Sequence, residues 1–349
     1  MTDKLMRRLT LKDVAKRLNV STATISNAFN RPDQLSAELR NSILQECESI
    51  GYFGPNAAAR SLRTGRTGIV GVVLSDKLSF SLSDTVASQF LQGISEVLDE
   101  AEYNMLLLSS HEDDLQNRMQ ASMVDGFIVY GHRPQQYTNA PWSMPNKQTI
   151  AVDSFITGCA SVNVENYQGA KTIANHALRH KPEHVAILGL CLLDTDRVCR
   201  IREDELFDYA AAISVQRLHG YFAAFEENGY KVNAENIWNI PNNVYKLAHQ
   251  AAREALQMSD RPTLLLCMSD LIAIAAIQVA QKMGLRVPED LHVVGFDGIP
   301  DSVNLHPTLT TIHQQNVAKG RIAAELFLGQ REAKEEILKT ELVIGESCP

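Results

Sequence analysis

The chain has 349 residues, 45% of them hydrophobic, and a formal net charge of −8 at pH 7, so it is long enough for more than one domain. Its N-terminus, MTDKLMRRLTL, lacks the apolar stretch of a signal peptide, and its longest apolar segment, residues 263–280, is interrupted by Ser269 and Asp270, which argues against a membrane span. The six cysteines show neither CxxC nor zinc-type spacing, so we expect a reduced, cytoplasmic protein with no cofactor and no metal site.

Residues 9–30, LTLKDVAKRLNVSTATISNAFN, predict two short helices joined by a tight turn. Thr10 and Asp13 have the spacing of a capping box, Asn19 tolerates the turn, and Ser21 is a capping residue for the second helix. The residues expected to face the core are Leu11, Val14, Ala15, Leu18, Ile25, Ala28 and Phe29, and those expected to face outward are Thr22, Ala23, Ser26 and Asn27.

A third helix is predicted from Ser36 onward. Its buried stripe is expected to consist of Leu39, Ile43, Leu44, Cys47 and Ile50. Three-helix segments that do not bind DNA can share this pattern. The net charge of the segment therefore provides a second criterion for DNA binding. Residues 1–66 contain eleven Lys and Arg and six Asp and Glu, a net charge of +5, which leaves −13 for residues 67–349. A basic segment on an acidic remainder favours a phosphate-binding module. We therefore predict that residues 1–54 form a helix-turn-helix headpiece that binds the DNA major groove.

Residues 54–66, GPNAAARSLRTGR, connect this headpiece to the rest of the chain. Pro55 suits a first helical position, and residues 56–59 favour a helix. A helix of five or six residues is marginal in isolation. We predict that residues 55–66 form a hinge helix and linker, ordered on DNA and disordered without it. The alternative is a plain interdomain linker with basic residues.

From Gly68 onward, seven apolar runs alternate with amphipathic helical stretches. They are IVGVVLSD, NMLLLSS, DGFIVYG, QTIAVDS, HVAILGL, TLLLCMSD and LHVVGFDG. Apolar strands separated by helices are typical of parallel sheets covered on both faces, and seven of them suit two sheets. Ligands of such sheets bind at the carboxyl ends of the strands, which places candidate polar residues at Asp153, Ser269, Asp270 and Asp297, with Arg217 in the loop after HVAILGL.

Carboxylates and a guanidinium that converge on one cleft suit a hydroxyl-rich or charged small molecule, because each buried polar group of a ligand needs a partner. A strand-end aspartate also commonly caps the helix that follows it. We favour this alternative role for Asp270 and the ligand-binding role for Arg217 and Asp297.

The segments LTLKDVAKRLNVSTATISNAFN, IGYFGPNAAARSLRTGRTGIVGVV, RPTLLLCMSDLIAIAAIQVAQKMGLRVPEDLHVVGFDGIP and HPTLTTIHQ occur in this order along nearly the whole chain. The sequence thereby resembles the LacI/GalR (lactose-repressor/galactose-repressor) family of bacterial transcriptional regulators. The resemblance implies an N-terminal all-α helix-turn-helix headpiece and an α/β periplasmic-binding-protein-like core, residues 67–349, of two Rossmann-like subdomains. The implied N-subdomain comprises about residues 67–163 and 298–329, and the C-subdomain about residues 164–297 and 330–349.

The resemblance also implies roles for individual residues. Those matching Asp153, Arg217, Ser269 and Asp297 bind the effector or line its pocket, and Leu62 matches a leucine that wedges into the minor groove. Thr22, Ala23 and Asn27 occupy the positions that set operator choice, where Asn can contact adenine in a bidentate manner. The full set of expected DNA contacts is Thr10, Leu11, Ser21, Thr22, Ala23, Thr24, Ser26, Asn27, Asn30, Asn56, Ala59, Arg60, Leu62 and Arg63.

The sequence departs from the family pattern at two places. No aromatic residue aligns with the family's stacking residue in the loop after Trp238, which argues against a simple sugar as effector. Residues 190–214 exceed the usual length there by roughly ten residues, many of them charged. This segment is either a lid or enlarged wall of the pocket, or a solvated surface helix.

We therefore expect a repressor in the bacterial cytoplasm that binds a pseudo-palindromic, double-stranded operator as a homodimer. Its core is expected to bind a small-molecule effector, such as a sugar, a nucleoside or another polar metabolite. No leucine heptads follow LKTELVIGESCP to build a coiled-coil tetramer. The alternatives are a core that responds to a partner protein, and a solute-binding protein, which would need a signal peptide and no basic headpiece. Motifs for an enzyme, such as GxGxxG, a P-loop or GxSxG, do not occur. The sign of the effector response is open.

Leu62→Ala is expected to weaken operator binding and to reduce the bend in the DNA, because a methyl group cannot hold a base step open. Gel-shift assays on fragments with the operator at the end or in the middle measure both quantities. A variant that bends the operator as strongly as the native chain would contradict the predicted wedge.

Overall fold

The computed structural model describes residues 9–54, 65–110, 115–131, 147–202, 212–332 and 334–349. The chain divides into two compact units, Met1–Gly68 with Met123–Asp125, and Ile69–Ser122 with Gly126–Pro349. The predicted hinge contacts lie outside the described residues; they are Asn56, Ala59, Arg60, Leu62 and Arg63.

The first unit contains the predicted headpiece. Helices α1 (Leu11–Arg17), α2 (Thr22–Asn30) and α3 (Ala37–Ser49) follow one another, with a 3₁₀ turn at Pro32–Gln34. The capping box forms as predicted, since the Thr10 hydroxyl accepts from the Asp13 amide at 3.3 Å and the Asp13 carboxylate accepts from the Thr10 amide at 3.0 Å. Asn19 has a φ of 52° in the turn, and the Ser21 hydroxyl accepts from the Thr24 amide at 2.9 Å.

The core of the headpiece is small. Its buried members are Val14, Ala15, Ile25, Ala28, Ile43, Cys47 and Tyr52. Ile43 and Cys47 carry the buried face of α3, whereas Leu39 is 42% exposed, so its predicted burial is wrong. Leu39 lies on the first turn of α3, where the helical stripe extends beyond the core that the other two helices can cover.

The second unit has two lobes. Lobe 1 is built on a parallel sheet of β1 (Ile69–Leu74), β2 (Asn104–Ser109), β3 (Gly126–Tyr130), β4 (Gln148–Val152), β5 (Ala160–Val164) and β12 (Glu335–Leu338), in the order β12-β5-β4-β3-β1-β2. Its helices are α4 (Leu78–Ser81), α5 (Thr85–Glu100), α6 (Leu115–Ala121) and α12 (Asn316–Leu328). Helices α5 and α12 approach closely at glycines: a Cβ on Gly320 would lie 2.1 Å from the Phe90 carbonyl oxygen. Glycine is thus required there for packing.

Lobe 2 is built on β6 (Val185–Leu190), β7 (Cys199–Arg200), β8 (Ile237–Ile240), β9 (Leu264–Cys267) and β10 (His292–Val294), in the order β10-β9-β6-β8-β7. All pairs are parallel except β7 with β8. Its helices are α7 (Asn166–Leu178), α8 (Ile213–Asn228), α9 (Tyr245–Leu256), α10 (Asp270–Lys282) and the short α11 (Asp301–Asn304). An antiparallel pair, β11 (Thr311–His313) and β13 (Glu341–Val343), is joined to the end of β10 by bridges at Val294 and Asp297.

The predicted fold class is confirmed, and the seven apolar runs correspond to β1–β4, β6, β9 and β10. Strands β5 and β8 were not among the seven, because Asn163 and Asn239 interrupt their apolar pattern. The described helices include none long and apolar enough to cross a bilayer.

The chain passes between the lobes at other points than the family resemblance implied. Residues 298–313 were assigned to the N-subdomain, but β11 is bridged to the end of β10 in lobe 2. Residues 330–349 were assigned to the C-subdomain, but Glu335–Leu338 pairs with β5 in lobe 1. The amphipathic pattern marks strands and helices, but it does not specify which sheet accepts an edge strand, so these two assignments are corrected.

Candidate functional site

The outer face of α2 lies where the sequence placed it. Ser21, Thr22 and Ala23 are exposed, and Ser26 and Asn27 are half-exposed. The Ser21 hydroxyl is 2.8 Å from that of Thr24, so the two hydroxyls are hydrogen-bonded to each other. The Ser21 hydroxyl also accepts from a backbone amide at the start of the helix. The N-terminal half of α2 therefore presents small, uncharged side chains of the kind that fit between base edges in a major groove.

The remaining headpiece candidates flank this face. Asn30, at the end of α2, donates from its amide to the Ser26 carbonyl at 2.9 Å. Thr10 is exposed and Leu11 half-buried at the start of α1. Arg40 on α3 donates to the Ala28 carbonyl at 3.1 Å and so fixes α3 against the end of α2. The headpiece is thus held together by caps and one long side chain as well as by its small apolar core.

A cavity of about 560 Å³ lies between the two lobes of the second unit. Lobe 1 contributes the ends of β1, β3 and β4, and lobe 2 contributes the end of β6 and the start of α8. Of the four predicted effector residues, Asp153, Arg217 and Asp297 line the cavity, whereas Ser269 is absent from its described lining. The carboxyl ends of the strands therefore meet at this cavity, as expected for open α/β sheets.

Asp153 follows β4 with a φ of 50°, a conformation that is strained for a residue with a side chain. Its Oδ2 atom is 2.5 Å from the ammonium group of Lys319, which is fully buried. Its Oδ1 atom is buried and has no hydrogen-bond partner among the described residues. Asp153 thus pairs one oxygen with a cation of its own lobe, and its other oxygen is buried at the cavity wall without a partner among the described residues.

Arg217 lies in the first part of α8, whose range is Ile213–Asn228, so the prediction that it lies in a loop is wrong. The sequence gives no clear start for this helix, because the stretch before it is polar and charged. The N-cap residue, Ala212, also has no side chain that could cap it. The guanidinium is 3.7 Å from the centre of the Phe296 ring and donates to the Met268 carbonyl at 2.6 Å and to the Asn166 side chain at 3.0 Å. It is therefore fixed in place before any ligand binds.

Asp297 is the counterpart of Asp153 in lobe 2. It has a φ of 139°, and its Oδ1 atom lies 3.6 Å from Nη1 of Arg217. Burial raises its pKa well above the usual value, and the Arg217 guanidinium opposes that shift. Its Oδ1 atom also accepts from the side-chain amide of Gln314 at 2.7 Å.

Gln314 connects the two carboxylates across the cavity floor. Its amide nitrogen donates to Asp297, and its amide oxygen accepts from the Lys319 ammonium at 3.2 Å. We call the resulting series Arg217–Asp297–Gln314–Lys319–Asp153 the cross-lobe polar chain. Gln314 and Lys319 were not among the residues predicted from the sequence. Lys319 could have been recognised from the sequence, because it lies on the apolar face of α12 together with Gly320 and Ala323. A lysine on a buried helix face needs an anionic partner.

Ser269 has the capping role that was expected of Asp270, and neither residue is among the described lining of the cavity. The Ser269 hydroxyl caps α10, accepting from the Ile272 amide at 3.1 Å, and it donates to the Asn243 side-chain oxygen at 2.7 Å. Asn243 lines the cavity, so Ser269 supports a lining residue from behind.

Asp270 is the first residue of α10 and not its cap, which corrects the favoured alternative for it. Its carboxylate is fully buried and accepts from the Ile299 amide at 2.9 Å and from the Thr311 hydroxyl. Burial raises its pKa to about 6, and the Thr311 hydrogen bond opposes that shift. Asp270 thereby fastens the segments before and after α11 to the start of α10.

Aromatic side chains line the cavity in lobe 1 and not near Trp238. Tyr130 and Phe80 are lining residues, as is the 56% exposed Phe155. Tyr130 stacks on Phe90 with ring centroids 4.4 Å apart, and burial and the nearby Asp153 raise its pKa well above 10, so its phenol stays protonated. Trp238 is fully buried in β8. Tyr130 could have been predicted as a lining residue, because it lies at the end of the apolar run DGFIVYG.

The described lining is strongly acidic. Its carboxylates belong to Asp76, Asp84, Asp153, Asp194, Asp196 and Asp297. Its one cation among the described residues is Arg217, which is already paired with Asp297. The uncapped start of α8 also faces the cavity, but a helix terminus supplies only about half a positive charge. The lining therefore favours ligands without negative charge.

Both ends of the long segment 190–214 belong to the cavity wall. Residues 190–196 and 212–214 are lining residues, and Cys199–Arg200 pairs with β8. Residues 203–211 lie outside the described part of the chain. Cys191 has a φ of 50° and donates to the Pro241 carbonyl at 2.8 Å. The described ends thus agree with the wall interpretation of this segment, while its charged middle stays a prediction.

The chain is similar to known proteins along nearly its whole length. The family model for bacterial regulatory proteins of the lacI family matches residues 10–56, and that for a periplasmic binding protein-like domain matches residues 198–348. An HTH-type transcriptional regulator of Mycobacterium tuberculosis is 31% identical over 98% of this chain and 97% of its own length. The HTH-type transcriptional repressor PurR of Photobacterium profundum is 27% identical over 97% of this chain and 98% of its own length.

Solved structures agree on the fold. The crystal structure of the lac repressor dimer bound to operator and the anti-inducer ONPF has a TM-score of 0.77 with this chain, at 21% identity, over 98% of this chain and 99% of the other. The helix-turn-helix headpiece followed by a two-lobed α/β core is thus a known combination.

Lys319→Met is expected to lower the free energy of unfolding by about 3–5 kcal/mol, because it leaves the Asp153 carboxylate buried without its cation. The double variant with Asp153→Asn should regain most of that loss, since no buried charge is then left unpaired. Urea unfolding measures both values, with the exposed Lys231→Met as the control. A single variant that loses less than about 1 kcal/mol would show that the ion pair does not matter in this way.

Proposed function

Because the chain belongs to the LacI family of bacterial transcriptional regulators, we propose that it is a repressor that binds operator DNA as a homodimer and is controlled by a small molecule in the cavity of its core. The observation that carries this proposal is the convergence of Asp153 from lobe 1 with Arg217 and Asp297 from lobe 2 on one cavity. A ligand that contacts residues of both lobes binds better to one arrangement of the lobes than to another. Such differential affinity is what shifts a conformational equilibrium.

DNA binding is supported by the headpiece. Its outer helix face offers Thr22, Ala23, Ser26 and Asn27 to base edges, and the +5 charge of residues 1–66 favours phosphates. A headpiece of this size makes few contacts, so two headpieces on a pseudo-palindrome are needed for specific binding. A two-fold homodimer of the core provides that arrangement.

The chemistry of the cavity supports a polyhydroxylated or amino-bearing effector without negative charge. The amides at the start of α8 donate to hydroxyl or carbonyl oxygens. The unpaired Asp153 oxygen, which is buried here, accepts from a hydroxyl or ammonium group once a movement on ligand binding exposes it. Tyr130 and Phe80 offer apolar surface to a sugar ring or a base. A volume of about 560 Å³ is within the usual range of small-molecule sites. Among the described residues, a phosphate group would face six aspartates, one of which pairs with Lys319, and one lining cation that is already paired with Asp297.

Control of DNA binding then follows from coupling. The effector fixes one arrangement of the lobes, and this arrangement determines whether two predicted hinge helices can pair on the minor groove. A helix of that length is marginal alone, so coupling of about 1–3 kcal/mol is enough to change its population. Induction and corepression use the same parts and differ in which lobe arrangement favours pairing.

Asn27→Ala is expected to weaken binding to the cognate operator by about 1–3 kcal/mol, or roughly 5- to 150-fold, because a bidentate contact with adenine is lost. Binding to unrelated DNA should be unchanged, since phosphates supply that affinity. The operator is first obtained by selection from random DNA with the native chain, and fluorescence anisotropy then measures both affinities. Glu48→Ala, on an exposed position of α3, serves as the control. Equal losses on both DNAs would contradict base recognition by Asn27.

The effector class is tested with matched pairs of sugars, nucleosides and amino sugars and their phosphorylated forms, by isothermal titration calorimetry. We expect binding by one or more uncharged or cationic members, and at least about tenfold weaker binding, or 1.4 kcal/mol, by the phosphate of the same compound. Arg217→Ala should reduce this affinity, and Lys231→Ala should not. Tighter binding of the phosphorylated member would overturn the proposed charge preference. If no member of the panel binds, the alternative in which the core responds to a partner protein is favoured.

A further inference from the structure

A second cluster of polar side chains lies in lobe 2, at the end of α7 that is opposite to the cavity. His176 and His180 are one helical turn apart at this end of α7, and one potential ligand atom from each lies within 4.8 Å of the other and of the Cys348 sulfur. His180 also stacks on His292 of β10, with ring centroids 4.3 Å apart. Three histidines and a thiol therefore come together at one place in the lobe.

We propose that His176, His180 and Cys348 bind a divalent zinc-class metal ion, with water in the fourth position. Imidazole nitrogen and thiolate sulfur are both ligand atoms that zinc prefers, with bonds of about 2.0–2.3 Å, and water commonly completes a site with three protein ligands. Ligands around a tetrahedral ion are then about 3–4 Å apart, so a spread of up to 4.8 Å requires only a small closure. This site is independent of the proposed effector and DNA sites.

The surroundings of the histidines suit this role. A ring nitrogen of His176 is 2.9 Å from the Cys348 carbonyl oxygen, and one of His180 is 2.7 Å from the main-chain oxygen of Pro349. Metal-binding histidines commonly use one ring nitrogen for the ion and donate from the other to a backbone oxygen, which fixes the ring. His180 is exposed and gives an ion a path from solvent, whereas His176 and Cys348 are buried.

An ion at this site would fasten the C-terminal segment to the rest of lobe 2. The Val293 amide already donates to the Ser347 carbonyl at 3.1 Å, and the Ser347 hydroxyl donates to the Val293 carbonyl at 2.6 Å. Thr310 donates to the Cys348 carbonyl at 2.8 Å, just before the segment that leads to Gln314. Metal binding would therefore stabilise α7, β10 and the start of β11 together. Spacing rules miss such a site because its ligands are far apart in sequence.

The test uses the full chain, stripped with a chelator and titrated with Co²⁺ as a spectroscopic substitute for zinc. We expect one equivalent to bind per chain, with visible bands of a four-coordinate ion and a near-ultraviolet band of cobalt–thiolate charge transfer. Zinc should abolish these bands and raise the melting temperature, because a ligand of the folded state stabilises it.

Variants identify the site. His180→Ala, at an exposed position that should not impair folding, is expected to bind Co²⁺ at least about tenfold more weakly and to lose the zinc-dependent rise in melting temperature. Cys348→Ser should lose the thiolate band. The control variants His306→Ala and Cys159→Ser should keep all these properties. Absence of a thiolate band in the native chain, or native binding by His180→Ala, would overturn the proposal.

Discussion

The core depends on one buried ion pair and the side chains that extend it. The Lys319 ammonium has lost all contact with solvent and pairs with Asp153, also in lobe 1. Taking such a charge out of water costs several kcal/mol unless a counter-charge and further hydrogen bonds offset the loss. Asp153 provides the counter-charge, and Gln314 provides a further hydrogen bond and passes it on to Asp297 of lobe 2. The floor of the cavity and the connection between the lobes are therefore one network.

This network lies beside backbone strain at the cavity. Asp153, Cys191 and Asp297 all have positive φ values, and all three line the cavity. Each such conformation costs about 1–3 kcal/mol and persists only where its surroundings enforce it. Here the surroundings include two lobes that share a polar chain. The effector proposed above would therefore act on groups that are already constrained.

Local chemistry made much of the fold predictable from the sequence. The caps at Thr10 and Ser21 depend on residues within one turn, and both form. The apolar runs predicted the central strands, because strands buried on both faces carry few polar residues. The parts that could not be predicted depend on distant neighbours. Asp153 and Asp297 could be predicted because ligands of such sheets bind at strand ends. Gln314 could not, because its role depends on its contacts with Asp297 and Lys319, which only the folded structure shows. Arg217 was found as a residue but misplaced, since the helix that carries it starts without a capping side chain.

The order of the headpiece and of the two lobes' last strands along the sequence has a consequence during protein synthesis. Lobe 1 receives β12 at Glu335–Leu338, and lobe 2 receives β13 at Glu341–Val343, so both lobes lack a strand until these residues have left the ribosome. The headpiece has its core complete by Tyr52. Because nascent domains fold from the N-terminus onward, the helix-turn-helix headpiece can assemble while the core is still being translated.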